Sequence, residues 1–362
     1  MSAPPCKPPV LVTGGAGFIG SNIADALASD GHGVLVYDAL TRPGVERNLA
    51  WLDERHPGRI EAIHADVRDG ERLADAVERA TAVFHMAAQV AVTTSMVDPR
   101  EDFEINVGGT FNLLEALRRK SERTPVVFAS TNKVYGDLAD LAFTCTPHGY
   151  APVDETIRAN GIGEARPLDF HTPYGCSKGA ADQYILDYCR SFGVPAAVLR
   201  MSCIYGQRQM GTEDQGWVAH FLIRALEGAP ITLYGDGHQV RDVLDVSNVV
   251  EAYLAAWQRI DKVAGRAFNI GGGPANAISL NTLIREIETI VDRRIAVERA
   301  DWRPGDQRYF VADTRAATQA LGLGPKVRWH YGVARLAQWL ADERGIALPQ
   351  QLARPTLKVA LS

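Results

Sequence analysis

Three short stretches carry residues that can do chemistry together. Y-G-C-S-K at 174–178 sets a phenol four residues ahead of an ammonium. On a helix that spacing puts Tyr174 and Lys178 on one face. T-G-G-A-G-F-I-G at 13–20 repeats glycine every three residues, as a phosphate-binding turn for a dinucleotide does. S-T-N-K-V-Y-G at 130–136 adds the hydroxyls of Ser130 and Thr131. A free tyrosine titrates at about pH 10. A neighbouring ammonium and a cationic nicotinamide stabilise the phenolate and lower that value. Tyr174 is then a base toward an alcohol and an acid toward an alkoxide. A Ser or Thr hydroxyl that shares the substrate oxygen fixes its position. Together these residues point to hydride chemistry on a hydroxyl or carbonyl.

Each glycine of the turn has its own reason. Gly14 permits the tight bend, Gly17 lets a diphosphate approach the backbone, and Gly20 lets helix and strand pack closely. Phe18 and Ile19 open the helix whose N-terminus meets the negative charge. Asp38 lies 18 residues beyond Gly20, at the end of the second strand-like run. A carboxylate there accepts from the adenosine ribose hydroxyls and repels a 2′-phosphate, which favours NAD; nearby Arg42 leaves NADP open. Asp66 and Val67 follow the third run, at the expected adenine position. Ala87, Ala88 and Gln89 follow the fourth, against the expected pyrophosphate and nicotinamide ribose.

The elements that position these groups read as an α/β chain. Apolar runs at 9–13, 33–37, 60–64, 82–86, 125–130 and 196–200 have the continuous character of parallel strands buried on both faces. Helical repeats separate them, such as Ile19, Ile23 and Leu27. Strand–helix alternation predicts right-handed crossovers and a doubly wound sheet. Beyond residue 200 the spacing predicts a helix at 217–227, a strand at 231–235, a late sheet strand ending in A-F-N-I-G-G-G (267–273), a helix at 279–291, a strand near 294–298 and a helix at 331–344. The expected fold is a Rossmann-type sheet over 9–203 and 244–272, interleaved with a smaller α/β substrate domain over 204–243 and 273–345. Residues 1–8 and 346–362 are expected to be tails. The stretch from Asp137 to Thr172 reads as a long loop, either a lid over the substrate or a surface excursion.

Of the 362 residues, 46% are hydrophobic and 22% charged, with a net charge of −5. This is the composition of a soluble globular protein, with no basic excess calling for nucleic acid or a membrane. No apolar run approaches the ~18–20 residues of a bilayer span, and the N-terminus lacks a signal-peptide core. Five scattered cysteines, without metal spacing, predict reduced thiols in a cytoplasm and no metal site.

Over roughly 9–340 the chain resembles the extended short-chain dehydrogenase/reductase family of nucleotide-sugar-modifying enzymes. The resemblance is carried by D-A-L-T-R-P-G (38–44), Q-V-A-V-T-T-S (89–95), D-F-E-I-N-V-G-G-T (102–110), S-T-N-K-V-Y-G-D (130–137), D-F-H-T-P-Y-G-C-S-K-G-A-A-D-Q-Y (169–184) and D-Q-G-W-V (214–218). It implies a catalytic set of Thr131, Tyr174 and Lys178, with Ser130 assisting. Asn106 is implied on the cofactor side, holding the active-site helix. Arg241 beside Asp242 falls near the nucleotide, and Arg303 of R-P-G-D matches a diphosphate-binding arginine. Gln89, Thr131, Asn132, His171 and Gln215 complete the candidate substrate contacts. Many members carry Asn and Pro around the Y-G after the sixth strand, where this chain has Cys203 and Gln207.

Family dehydratases place an Asp–Glu pair directly after the threonine to eliminate water. Here Asn132 and Lys133 stand in those positions, and neither suits that step. The residues therefore favour epimerisation: transient oxidation of a ring carbinol to a ketone and return of hydride to its other face. The resemblance points to C2 of a CDP-linked sugar and to a homodimer through the helices near 103–119 and 175–192. Inversion at C4 of another nucleotide sugar, a one-way dehydrogenase or reductase, and a non-catalytic dinucleotide-binding scaffold are the competing readings.

Overall fold

The structure, a computed structural model, describes residues 7–349. In chain order its strands are β1 (Lys7–Thr13), β2 (His32–Asp38), β3 (Ile60–His64), β4 (Val83–His85), β5 (Val126–Thr131), β6 (Phe143–Thr146), β7 (Gly149–Pro152), β8 (Ala196–Met201), β9 (Cys203–Tyr205), β10 (Ile231–Tyr234), β11 (Val240–Asp245), β12 (Arg266–Ile270), β13 (Ala277–Ser279), β14 (Val297–Ala300) and β15 (Tyr309–Phe310). Seven form one sheet in the order β12-β8-β5-β4-β1-β2-β3. Every neighbouring pair in it is parallel. The order reverses between β1 and β4, where a doubly wound sheet opens its ligand crevice.

Helices cover both faces. Ile23 and Leu27 of helix Phe18–Ser29 pack with Val249 and Tyr253 of helix Val246–Gln258 on one side. Leu73 and Val77, Leu113 and Leu117, and Ile185 and Tyr188 come from three helices on the other. The continuous apolar runs of β1, β4, β5 and β8 are buried as expected. β3 departs from that expectation: it is the outer strand, and Glu61, Ala62 and His64 are exposed.

The chain leaves the large sheet after β8 and returns to it for β12. Between and after these strands it builds a second set of layers. β11 pairs antiparallel with β13 and parallel with β15 and β9, and β10 pairs parallel with β14. Helices Trp217–Glu227, Leu280–Val291 and Trp329–Arg344 close over them around Leu222, Ile287, Leu336 and Leu340. The strand expected near 294–298 lies at 297–300, because Arg293 and Ile295 first fold back on Glu288 and the 225–226 carbonyls.

Three expectations need correction. The 137–172 stretch is no bare loop: it holds the β6–β7 hairpin and helix Glu155–Asn160. Tyr150 N bonds His238 O at 2.8 Å and Ile162 N bonds Val311 O at 2.7 Å, so the stretch is docked on the second set of layers. Lys7 and Pro8 belong to β1, and Ile346 and Leu348 pack against the second core, so neither pair is tail. The rest of the expected tails, 1–6 and 350–362, lies outside the described residues.

Candidate active site

The site lies at the carboxyl edge of the large sheet, where β1, β4 and β5 end. Helix Thr172–Phe192 carries Tyr174 and Lys178 to that edge. His171 precedes it in extended backbone, Pro173 sits in its first turn, and Gly193 ends it at φ +70°. Tyr174 N donates to Ser95 Oγ at 3.2 Å, which ties the start of the helix to the segment after β4.

Thr131 is the last residue of β5, and its hydroxyl lies near enough to the Tyr174 phenol to influence its ionisation. Burial lifts that phenol to about 12; the Thr131 hydroxyl works against the rise and the Asp102 charge adds to it. Burial also drops the Lys178 ammonium to about 7, opposed by Asp182 and Asp102. In the chain alone the phenol is therefore raised, contrary to the sequence expectation. The buried site penalises both charged forms, and the expected lowering included a cationic nicotinamide. Lys178 Nζ lies 4.3 Å from the centre of the Phe128 ring. Beneath it, buried His85 is held between Thr13 (2.7 Å) and Thr110 (3.1 Å), and burial pulls its pKa down to about 3.

Ser130 is not at the site. Successive strand residues face opposite ways. Its hydroxyl donates to Asp182 Oδ2 at 2.7 Å in the buried interior. Asp182 also takes a bidentate pair from Arg200 Nε and Nη2, both at 2.9 Å. Spacing held a signal for this: 174, 178 and 182 form one stripe of the helix.

Gln89 and Asn106 likewise turn inward. Gln89 Nε2 donates to Ala91 O and Asp102 Oδ1, and its Oε1 accepts from Ala91 N. Asn106 Oδ1 accepts from Gln89 N, while Nδ2 reaches Gln89 O, Asp102 and Ser177 Oγ. These amides brace the loop after β4 against the Tyr174 helix. Asp102, which sequence reasoning missed, is the buried hub of that brace, and burial raises its pKa.

The glycine turn fits a dinucleotide. A Cβ on Gly14 would lie 2.7 Å from Ala87 N, and one on Gly20 would lie 2.1 Å from Gly14 O. Only glycine allows that closeness. A Cβ on Gly17 would meet nothing nearer than Gly14 O at 3.1 Å, so that side of the turn is open. Asp38 Oδ2 accepts from Ala16 N at 3.0 Å and Oδ1 from Leu40 N at 2.9 Å, which fixes a carboxylate beside the turn. Phe18 and Ile19 begin the helix and pack partly into the core. Val67 is buried under Gly109, and Asp66 pairs with Arg68 at 2.7 Å. Ala87 N reaches Thr13 Oγ1 at 3.3 Å, so Ala87 and Ala88 border the turn.

The remaining candidates come from the second set of layers and the adjoining rim. Arg241 on β11 is buried and bonds Asp306 at 2.6 Å. Arg303 stacks over the Tyr234 ring at 3.8 Å and reaches Glu213 and Asp214 at 3.3 and 3.5 Å, next to Gln215. His171 sits at the rim, 3.5 Å from Asp137 and 3.1 Å from Asp169. Asn132 is buried against Gln307, a partner that no sequence motif announced.

Comparison with known proteins agrees with this geometry. The model of the NAD-dependent epimerase/dehydratase family matches residues 10–271. CDP-paratose 2-epimerase of Salmonella typhi is 43% identical over 340 residues, spanning 92% of this chain and 99% of that one. A putative UDP-glucose 4-epimerase of Methanocaldococcus jannaschii is 33% identical over 92% of this chain and 98% of its own. The crystal structure of the UDP-glucose 4-epimerase of Thermus thermophilus in complex with NAD superposes with a TM-score of 0.78 at 32% identity, over 94% of this chain and 100% of that one. The chain belongs to the NAD-dependent epimerase/dehydratase family.

Proposed function

We propose that this enzyme inverts C2 of a CDP-linked sugar, interconverting CDP-paratose and CDP-tyvelose. The observation that carries the reading is at the end of β5. The Thr131 hydroxyl acts on the Tyr174 phenol there, holding its pKa down, while Asn132 and Lys133 fill the positions of a dehydratase's acid pair. The similarity to the Salmonella typhi enzyme supports the C2 position and the CDP carrier.

Gly14, Gly17, Phe18, Ile19, Gly20, Asp38, Asp66, Val67, Ala87 and Ala88 are the residues that would hold NAD. NAD, when bound, supplies the place where a hydride is stored and from which it returns. Tyr174 Oη takes the proton of the sugar hydroxyl as the carbinol becomes a ketone, and gives it back when the carbinol re-forms. Thr131 Oγ1 holds that oxygen in place, and Lys178 balances the negative charge of the phenolate. Arg241 and Arg303 would face the nucleotide diphosphate, with His171 and Gln215 toward the sugar; Asn132, expected there too, is taken up by Gln307 instead. No acid–base pair stands ready to expel water, so the ketone has one exit, reduction.

The working division into a cofactor part (9–203, 244–272) and a substrate part (204–243, 273–345) belongs to the same proposal. So does a cytoplasmic homodimer. Cys145, Cys176, Cys189 and Cys203 are unpaired among the described residues, which supports a reducing compartment. Phe103, Phe111, Tyr184 and Phe192 form an exposed aromatic face on the two helices expected at the seam.

Inversion at C4 of a UDP-sugar is the second reading, favoured by the Methanocaldococcus jannaschii relative. Offering CDP-paratose and UDP-glucose separately and following the ring protons by NMR decides between them. We expect CDP-tyvelose from the first and no change in the second. Conversion of UDP-glucose alone would transfer the assignment to C4.

A further inference from the structure

The two residues after Thr131 separate inversion from water elimination, and the structure gives each a partner. Asn132 Nδ2 donates to Gln307 Oε1 at 3.1 Å, and Gln307 Nε2 donates to Gly136 O at 2.6 Å. The fully buried Gln307 amide is thus held at both ends by the turn that follows β5. Lys133 Nζ donates to Gly305 O at 2.9 Å. Arg241 closes the far side, reaching Asp306 Oδ1 at 2.6 Å and Gln307 O at 2.5 Å. Asp306 N bonds Arg303 O at 3.2 Å, so Arg303–Asp306 is one turn. Gly305 has φ +68°, and a Cβ on it would come within 2.7 Å of Thr172 Cγ2, at the start of the Tyr174 helix. The 303–307 segment therefore touches both elements that carry Thr131, Tyr174 and Lys178.

We infer that Asn132 and Lys133 are positioning residues that clasp the 303–307 segment to the turn after β5, holding a diphosphate gripped by Arg303 at a fixed distance from Thr131 and Tyr174. The inference rests on the nucleotide-sugar reading and deepens it. An epimerase must show first one face of a ketone and then the other to a single hydride position. The sugar has to turn while its diphosphate stays put, and an anchor that slides would lose the register between the two half-reactions. Positions that serve acid–base chemistry in a dehydratase here serve as struts. Lys133 faces Asp306, Arg241, Cys203 and Asp137. Burial draws its pKa down and Asp306 opposes the shift, but an amine donates to Gly305 O in either protonation state.

Lys133→Met tests the clasp, because it keeps the length and removes the donor. CDP affinity is read by titration calorimetry on the NAD-loaded protein, with no turnover needed. We expect it to weaken about ten-fold, with KM rising in parallel and kcat within about two-fold. Lys133→Arg, which retains a donor, should restore most of the affinity. In an Arg303→Ala background Lys133→Met should add little, since nothing is left to position. Unchanged CDP affinity in Lys133→Met overturns the inference. So does a fully additive loss beside Arg303→Ala, which would place Lys133 on the ligand itself. So does a fall in kcat with affinity intact. If Lys133→Met fails to fold, Asn132→Ala carries the same expectations. Should the wild-type chain prefer UDP, the series is read with UDP, so an error in the base leaves the clasp under test.

Discussion

In the proposed mechanism Tyr174 and Lys178 act as a pair, and their proton count sets a pH dependence. Burial places the phenol at about 12 and the ammonium at about 7 in the chain alone. Below about 7 both groups hold a proton and Tyr174 Oη has no room for another. Above it the pair holds one proton in total, the count that a phenolate beside an ammonium requires. Turnover is therefore expected to rise through pH 7 and to stay level on the alkaline side. The Asp102 charge raises both pKa values. Asp102→Asn removes that charge, so the acid limb of the kcat/KM profile should move to lower pH. A limb that stays in place or moves up would detach Asp102 from the pair.

At the scale of elements, helix Thr172–Phe192 is positioned by its own stripe. One turn beyond Lys178, Asp182 anchors the helix to β5 through Ser130 and to β8 through Arg200. Ser130→Ala should cost about 1 kcal/mol, one net hydrogen bond, and leave turnover within a few-fold. Asp182→Ala strands a buried guanidinium and should cost about 3–5 kcal/mol in a denaturant titration. A large loss of turnover in Ser130→Ala would restore that hydroxyl to the reacting set. The contrast shows what sequence can and cannot convey. The glycine turn and the pairing of Tyr174 with Lys178 were legible because their spacings are local to one turn or helix, and Thr131 and Asp38 because they close strand-like runs. Ser130 misled because adjacency in S-T hides the alternation of a strand. Gln307 and Asp306 escaped because their partners lie far away in the chain: Asn132 and Gln307 are 175 positions apart, and Arg241 and Asp306 are 65 apart. The β9, β11, β13 and β15 strands went unread for a similar reason, being two to six residues long. Strands that short carry little periodicity of their own.

Over the whole molecule, the 103–119 and 172–192 helices have one buried and one exposed face. Leu113, Leu117, Ile185 and Tyr188 face the core, while Phe103, Phe111, Tyr184 and Phe192 are 44–57% exposed. Phe111 and Tyr184 meet edge to face, 6.2 Å between ring centres, and so join the two helices into one surface. Before the fold was known, these positions could not be divided between core and surface. This exposed aromatic face is the seam of the proposed homodimer. The double substitution Phe111→Glu and Tyr184→Glu should yield a monomer by size-exclusion chromatography with light scattering, with NAD still bound. A wild-type monomer at micromolar concentration would remove the seam from the account.

The proposed inversion at C2 stores and returns a hydride, without exchange of the carbon-bound hydrogen with solvent. The measurement that meets it most directly is conversion of CDP-paratose in D2O, followed by NMR. We expect CDP-tyvelose with protium retained at C2, no net NADH, and no conversion by Tyr174→Phe although it keeps NAD. Deuterium at the inverted carbon, or accumulation of a ketone with NADH, would contradict it.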